Sequence, residues 1–511
     1  MACAWRRSGE PRRAVERQAL PLPFPAAHLP MSAMLQALLA QDPTVRDWLE
    51  PADADPTRPD AEWIARFLQR APVAGWDRAA IAAITGATLP PAWREHGALV
   101  VTGQQPALGG GPFYTLVKIA AAIATAARVS IPAVPVAPLF WCASEDHDLG
   151  EAGHADLLRR DGTIVRVADD LGGGRASLRF RSARHGWDAL LAAGARELGP
   201  GPGEAWLVAH APGPDEGLGA WVGRLLAAFF APWNLLTIEA HRLRPLARPA
   251  LGAALTRWPA AELAGLRARV LAAGHGDAFG ALDHAPLFAD RPDGRVALDP
   301  AAALALLAVD PDALSAGAAL RPALQQAALP AAIFVAGPGE LAYHAFLGPV
   351  YAALGVPRPL LLPRPSLALA PGWFRRASTA WGVDPAVLRP DSRAPTRDTP
   401  LAGELAALDA ALAALTRAAL TPDLTLRRDA SATRLRRERD RLARSLARGE
   451  RRAAGLTAFG ALVTWLHPRG HPQERTMSLF QAIWEHGPGL ATLLVDAAAG
   501  CGPGERRLVN G

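Results

Sequence analysis

Residues 98–151 constrain this chain more than any other stretch. They open with the apolar run Ala98-Leu99-Val100-Val101-Thr102, which predicts a buried strand. The next ten residues, Gly103-Gln104-Gln105-Pro106-Ala107-Leu108-Gly109-Gly110-Gly111-Pro112, hold too much glycine and proline to be helical. A helix is predicted over 113–128, with Tyr114 and Lys118 four apart on one face. A second apolar run over 133–141 predicts another strand and leads into Cys142-Ala143-Ser144-Glu145-Asp146-His147-Asp148. Strand, glycine loop, helix, strand and charged loop make one mononucleotide-binding unit of a doubly wound α/β sheet. Ligands bind such sheets beyond the carboxyl ends of the strands, where both polar clusters fall.

The plan repeats later. Residues 331–335 read as a strand stopped by Ala336-Gly337-Pro338-Gly339-Glu340. A helix over 341–354 and a strand over 358–362 follow, ending at Pro363-Arg364-Pro365-Ser366. This is the second half of the same sheet. The first half spans 19–154, with helices over 31–49 and 61–89, and it resumes over 211–274 with a helix, a strand at 234–239 and a helix over 247–273. Two small insertions are expected. In 155–210, residues 164–167 and 176–180 alternate as strands around Gly172-Gly173-Gly174; in 275–312, Asp293-Gly294 signals a hairpin. The second half of the core covers 313–384. Residues 385–455 read as a Pro-rich linker and an antiparallel helical hairpin or coiled coil, with leucines at 401, 405, 408, 412 and 415 and again at 435, 442 and 446. The polar run 466–475 inside the last segment, 456–511, suggests a return to a site on the core.

A chain of 511 residues exceeds one compact core and points to several domains. The net charge of +6 is small for this length, and arginine stands where lysine would serve almost everywhere, so no nucleic-acid partner is expected. Lys118 is the sole lysine. Arginine replaces lysine readily at a solvated surface but not where a compact ammonium is needed, which makes Lys118 a functional candidate. Cys3, Cys142 and Cys501 lie far apart with no CxxC, consistent with a reducing cytoplasm. Residues 1–18 form a basic tail, and residues 20–30 an extended Pro-rich stretch. The apolar region 119–143 is interrupted by Arg128, Pro132, Pro135 and Pro138, so no membrane span is expected.

The 103–112 loop before a helix suits a phosphate or carboxylate, although it is neither a Walker motif nor GxGxxG; a tight strand-to-helix turn is the plain alternative. In Glu145-Asp146-His147-Asp148, His147 is a candidate general base with a neighbouring carboxylate orienting it. A metal set of His147, Asp148 and His154 fits no firm spacing, and a helix start capped by Ser144 and the acidic residues is the structural alternative. Glu340, Tyr343 and His344 fall at a helix start, and Arg364 follows the next strand, placed to pair with a carboxylate or phosphate.

Several of these stretches, taken together, resemble the bacillithiol biosynthesis cysteine-adding enzymes, the BshC family. They are Val101-Thr102-Gly103-Gln104-Gln105, Gly111-Pro112-Phe113-Tyr114-Thr115 with Lys118, Phe140-Trp141 with Ser144-Glu145-Asp146-His147-Asp148, Gly337-Pro338-Gly339-Glu340 with Ala342-Tyr343, and Pro472-Gln473-Glu474-Arg475. Leu314-Ser315 with Arg321-Pro322 and Gln325 is similar as well. The resemblance covers about residues 19–500. It implies an α/β Rossmann-like doubly wound core with two inserted connecting-peptide domains and a C-terminal α-helical coiled coil that makes a homodimer.

It also implies a cysteine ligase that joins the cysteine carboxyl to the glucosamine amine of glucosaminyl-malate as an amide. ATP is the expected co-substrate, with Mg2+ accompanying it as the only metal. On this resemblance His147 is the base, supported by Asp148 or Glu145. Gln104, Gln105, Tyr114, Lys118, Gly337, Gly339, Glu340, Tyr343 and Arg364 bind substrates, and Gly103, Gly111 and Arg475 bind nucleotide. The residues alone leave two other classes open: a metal-dependent hydrolase or nucleotidyltransferase, and a non-enzymatic coiled-coil protein that binds a small ligand.

Overall fold

The computed structural model describes residues 33–51, 59–72, 75–395, 402–417, 421–453 and 459–510. Five strands form its central sheet: β1 (Ala98–Gln104), β2 (Val136–Cys142), β3 (Leu236–Glu239), β4 (Ala331–Ala336) and β5 (Leu360–Pro363). They lie in the order β5-β4-β1-β2-β3, and every pairing is parallel. The order reverses between β1 and β4. Such a reversal sends the two flanking connections to opposite faces and leaves a crevice beyond the strand ends.

Period-two alternation sorts the strand side chains onto two cores. Ala98, Val100, Phe140 and Cys142 face one cluster, and Leu99, Val101, Leu139 and Trp141 face the other. A sheet buried on both faces needs near-continuous apolar runs, and these strands supply them. Each fully buried Val, Leu or Phe contributes roughly 1.5–3 kcal/mol. The helix α1 (Tyr114–Val129) covers the first face and packs beneath the C-terminal helix Leu490–Ala499. Helices Arg244–Thr256 and Arg321–Ala328 cover the second.

Several helices expected as single units are divided. The stretch over 31–49 resolves into Ala33–Leu39 and Pro43–Leu49, with Gln41 at φ 59° between them and Pro43 in the first turn of the second. Residues 61–89 give Ala61–Leu68 and Arg78–Thr85, and residues 247–273 give helices broken at Pro259. The helix expected over 341–354 is two, α2 (Pro338–His344) and Gly348–Leu354, the latter again with proline in its first turn. Proline fits a first turn, where its missing N–H has no partner to lose, but not a helix interior.

Between β2 and β3 lies an antiparallel hairpin, His154–Leu158 with Ile164–Ala168. Residues 176–180 do not join it as a strand. Their alternation is real, but the amides of Leu178 and Arg179 donate to the carbonyls of Asp146 and Ser144, and Leu178–Phe180 winds as a 3-10 turn. Between β3 and β4, strands Leu287–Arg291, Gly294–Leu298 and Leu314–Ala316 form a small antiparallel sheet. Helices α3 (Ala402–Arg417) and α4 (Pro422–Ala453) form a hairpin that buries Leu412 and Ala432. The basic tail 1–18, the extended stretch 20–30 and Leu401 lie outside the described residues. The last segment returns to the core, where Arg506–Val509 pairs in parallel with Ser366–Leu369.

Candidate functional site

A cleft of about 370 Å³ opens at the carboxyl ends of β1, β2, β4 and β5, at the order reversal. Gly103 and Gln104 end β1, and Gly337 and Glu340 begin the connection after β4. Arg364 follows β5, and the C-terminal segment adds Arg475. A second basin of about 430 Å³ shares Gln104, Gln105, Tyr114, Glu151 and Arg475 with the first. Its other side carries Arg166 from the hairpin and Arg469 from the C-terminal segment.

Lys118 does not present its ammonium to a ligand. Its Nζ lies 2.7 Å from a Glu340 carboxylate oxygen and donates to the Gly103 carbonyl and to Gln104 Oε1 at 3.3 Å. Three donors meet three acceptors, so the sole lysine ties the end of β1, α1 and the start of α2 together. Burial lowers its pKa, and Glu340 opposes that shift. Glu340 in turn accepts from the Gly337 amide at 2.6 Å. Gln104 donates to Tyr114 Oη at 2.9 Å. Burial, with Glu151 and Glu340 nearby, pushes the Tyr114 hydroxyl up to about 12, so it stays protonated as a donor.

The glycine loop is a turn rather than an open cradle. Gly110 N–H donates to Ala107 O, Gly111 N–H to Leu108 O and Phe113 N–H to Met477 O. These three amides are therefore closed to an anion. Gly110 sits at φ 88°, and a Cβ there would come within 2.7 Å of Leu479. The glycines let the helix Leu479–His486 close over the loop.

The charged loop after β2 divides its residues among different tasks. Glu145 turns away from the cleft into a buried cluster, 2.6 Å from Arg244, which is also 2.8 Å from Asp290. Asp148 caps the short helix Leu149–Ala152, one of the acidic residues expected there beside Ser144. His147 stands at the rim, half exposed, with Arg295 Nη1 3.5 Å from Nδ1, and does not line the cleft. Asp146 does line it, 3.1 Å from Arg321. Burial pushes its carboxyl up, but Arg321 and the His147 amide outweigh burial and hold it below the ordinary value. Arg295 is drawn down to about 10 by burial and by Arg321.

The 472–475 motif explains how the C-terminal segment reaches the site. Gln473 Oε1 accepts from Leu369 N–H at 2.7 Å, and Glu474 accepts from Leu367 N–H at 2.9 Å and from Arg364 Nη1 at 2.6 Å. Both side chains are buried, and they fix Arg475 at the junction of the two basins. Arg364 keeps a buried Nε without a partner, with its guanidinium 5.4 Å from the Tyr114 ring. Gly339 and Tyr343 also line the cleft. Sequence reasoning missed Glu151, gave Asp146 no role of its own within the charged cluster, and had Trp141 only as part of a resemblance. It had Arg321 and Gln325 only as part of a resemblance. Glu151 accepts from Gln105 Nε2 at 2.8 Å and faces both basins, and burial followed by Asp148 and Asp146 raises its pKa. Its position just after four ionisable residues was the available signal. Among the described residues, no group of three or more His, Cys, Asp or Glu is placed to hold a metal ion, and no helix is long and apolar enough to cross a membrane.

Residues 90–270 and 288–365, just over half of the chain, match the family model described as bacillithiol biosynthesis BshC, N-terminal Rossmann-like domain. The chain belongs to the BshC family. A BshC relative from Koribacter versatilis, named "Putative cysteine ligase BshC", is 28% identical over 440 residues, covering 79% of this chain and 82% of its own length. A relative of the same name from Thermus thermophilus is 30% identical over 432 residues, covering 77% and 85%. The match to the BshC domain takes in both strand–loop–helix units, whereas Arg475, which completes the cleft, and Glu474, which pairs with Arg364, lie beyond it.

Proposed function

We propose that this chain is a cytoplasmic ligase of bacillithiol biosynthesis that joins the cysteine carboxyl to the glucosamine amine of glucosaminyl-malate. The observation that carries the reading is a two-basin cleft, in a chain of the BshC family, that sets arginines and a raised-pKa carboxylate around one junction. Amide formation needs a site for each reactant and a base where they meet. The hairpin 154–168 and the small sheet of 287–316 serve as the connecting-peptide domains, and α3 with α4 as the dimerising coiled coil.

ATP, with Mg2+, supplies an activated cysteine carboxyl. The donor set suits an anion: Arg364 has a buried Nε without a partner, and Arg475 makes no ion pair among the described residues. Arg475 faces phosphate, and Arg364 holds a substrate carboxylate. Tyr114 and Gln104, fixed by Lys118 and Glu340, orient the reacting groups. As the amine nitrogen attacks the carbonyl carbon, the activating group leaves with its bonding electrons and Glu151 takes the amine proton. Glu151 replaces His147 in this role because it faces both basins, whereas His147 stands beside the cationic Arg295 at the rim.

Reconstitution of the full chain with cysteine, glucosaminyl-malate and ATP tests the reading by mass spectrometry of the thiol product. Bacillithiol is the expected product. Its absence there, together with unchanged bacillithiol in a cell lacking the gene, would refute the assignment.

A further inference from the structure

The cleft has an arm on the face of the sheet opposite α1, lined by Trp141, Phe334, Tyr343, His344 and Tyr351 beside Gln325. None of the six carries a formal charge. His344 stacks on Tyr343 with centroids 4.9 Å apart and lies 5.4 Å from the Phe334 ring. Tyr351 Oη is 3.4 Å from His344 Nδ1. Burial, with Arg358 nearby, pulls the imidazole down to about 3, so it stays neutral at physiological pH.

Four of these side chains are buried. Trp141 is 8% exposed, Phe334 6%, His344 4% and Tyr351 2%. A purine slot leaves ring faces open for stacking, whereas His344 is flanked by the Tyr343 and Phe334 rings. Sulfur makes favourable contacts with aromatic rings and tolerates weak hydrogen bonding. A hydroxyl buried in the same place loses water and needs a partner in return.

We infer that this arm is the side-chain pocket for the –CH2–SH of cysteine, with His344 and Tyr351 as specificity-determining residues. The inference rests on the ligase reading and names the part of the site that selects the amino acid. The cysteine carboxyl then points across the strand ends toward Arg364 and Arg475.

Calorimetric titration of the full chain with L-cysteine, L-serine and S-methyl-L-cysteine tests it, alongside steady-state ligation kinetics. The wild-type chain is expected to bind cysteine about tenfold more tightly than serine and to bind the S-methyl compound more weakly still. Tyr351→Phe keeps the ring and its volume but frees the imidazole to present either nitrogen. It should narrow the cysteine-to-serine preference about fivefold, read as the ratio of their kcat/KM values. His344→Ala opens space and should improve binding of S-methyl-L-cysteine; if it does not fold, Tyr351→Phe still decides. Equal binding of serine and cysteine by the wild type, an unchanged preference in Tyr351→Phe, or a rise in KM for ATP alone would overturn the pocket. Selective cysteine binding with no amide product would overturn the ligase reading and leave the pocket standing. Product formation with an unmoved preference would do the reverse.

Discussion

Lys118 stands out in the sequence as the sole lysine, yet only the fold reveals what it holds. Its ammonium is matched to Glu340, Gly103 and Gln104, so removing it strands a carboxylate. Lys118→Met is expected to lower the unfolding free energy in urea by about 3–5 kcal/mol, and Lys118→Met with Glu340→Gln to recover part of it. No recovery in the double variant would mean that the pair does not carry the cost. Gln104, Tyr114 and Glu340 were legible as site residues because they flank glycine and proline at strand ends. Their mutual bonds were not, because Glu340 arrives from the other half of the sheet. Glu151 makes the complementary case. It was overlooked beside four more conspicuous ionisable residues, and it faces both basins. As a base it works deprotonated, so activity falls as the pH drops through its raised pKa. Glu151→Gln should lower kcat about a hundredfold or more, with little change in KM, and remove that acidic limb from the pH–rate profile. A variant that keeps the limb would move the base elsewhere.

At the scale of elements, the glycine loop and the C-terminal segment form one unit. Leu479 N–H donates to Gly111 O and Phe113 N–H to Met477 O, each at 2.8 Å. Gly110 at φ 88° lets the helix Leu479–His486 seat against the loop. Gly110→Ala adds both backbone strain and a clash with Leu479, and is expected to cost about 1–3 kcal/mol. Hydrogen exchange should then quicken first in residues 477–486; unchanged protection there would separate the two elements. The sequence marked the loop through its glycines but suggested an open anion cradle. A glycine-rich strand-to-helix loop looks alike whether its amides meet a ligand or another segment, and that partner lies far along the chain. Residues 176–180 carry the same lesson: their alternation is strand-like, but their amides are taken by the loop after β2.

For the molecule as a whole, α3 and α4 leave Leu408, Leu415, Leu424, Leu435 and Leu442 between 42% and 52% exposed, a surface that a second copy would cover. Replacing Leu408, Leu415, Leu435 and Leu442 together with Lys is expected to turn a dimer into a monomer in sedimentation; a surviving dimer would refute the hairpin as its cause. Acid stability follows from buried imidazoles. Burial pulls His241, His467 and His486 from 6.5 to about 4. The unfolded chain therefore takes up protons that the folded chain refuses, and stability is full above pH 6.5 and lost as the pH falls toward 4. Glu485, pushed up to about 7 by burial, acts in the opposite direction together with the raised carboxyls of Glu151 and Glu239, against four lowered imidazoles once His344 is included. Tm should fall between pH 7 and pH 4.5, and a flat Tm would overturn this account. By itself the sequence determined the α/β class and the two strand–loop–helix halves. Apolar runs, periodicity and glycine or proline stops are properties of contiguous residues, and they survive without a fold. Only the tertiary structure decided that Glu145 pairs with Arg244, that Lys118 braces Glu340, that His147 stays at the rim and that five aromatic side chains line one cleft. Those outcomes depend on strand order and on where distant segments return, and strand order is settled by which faces can be buried together.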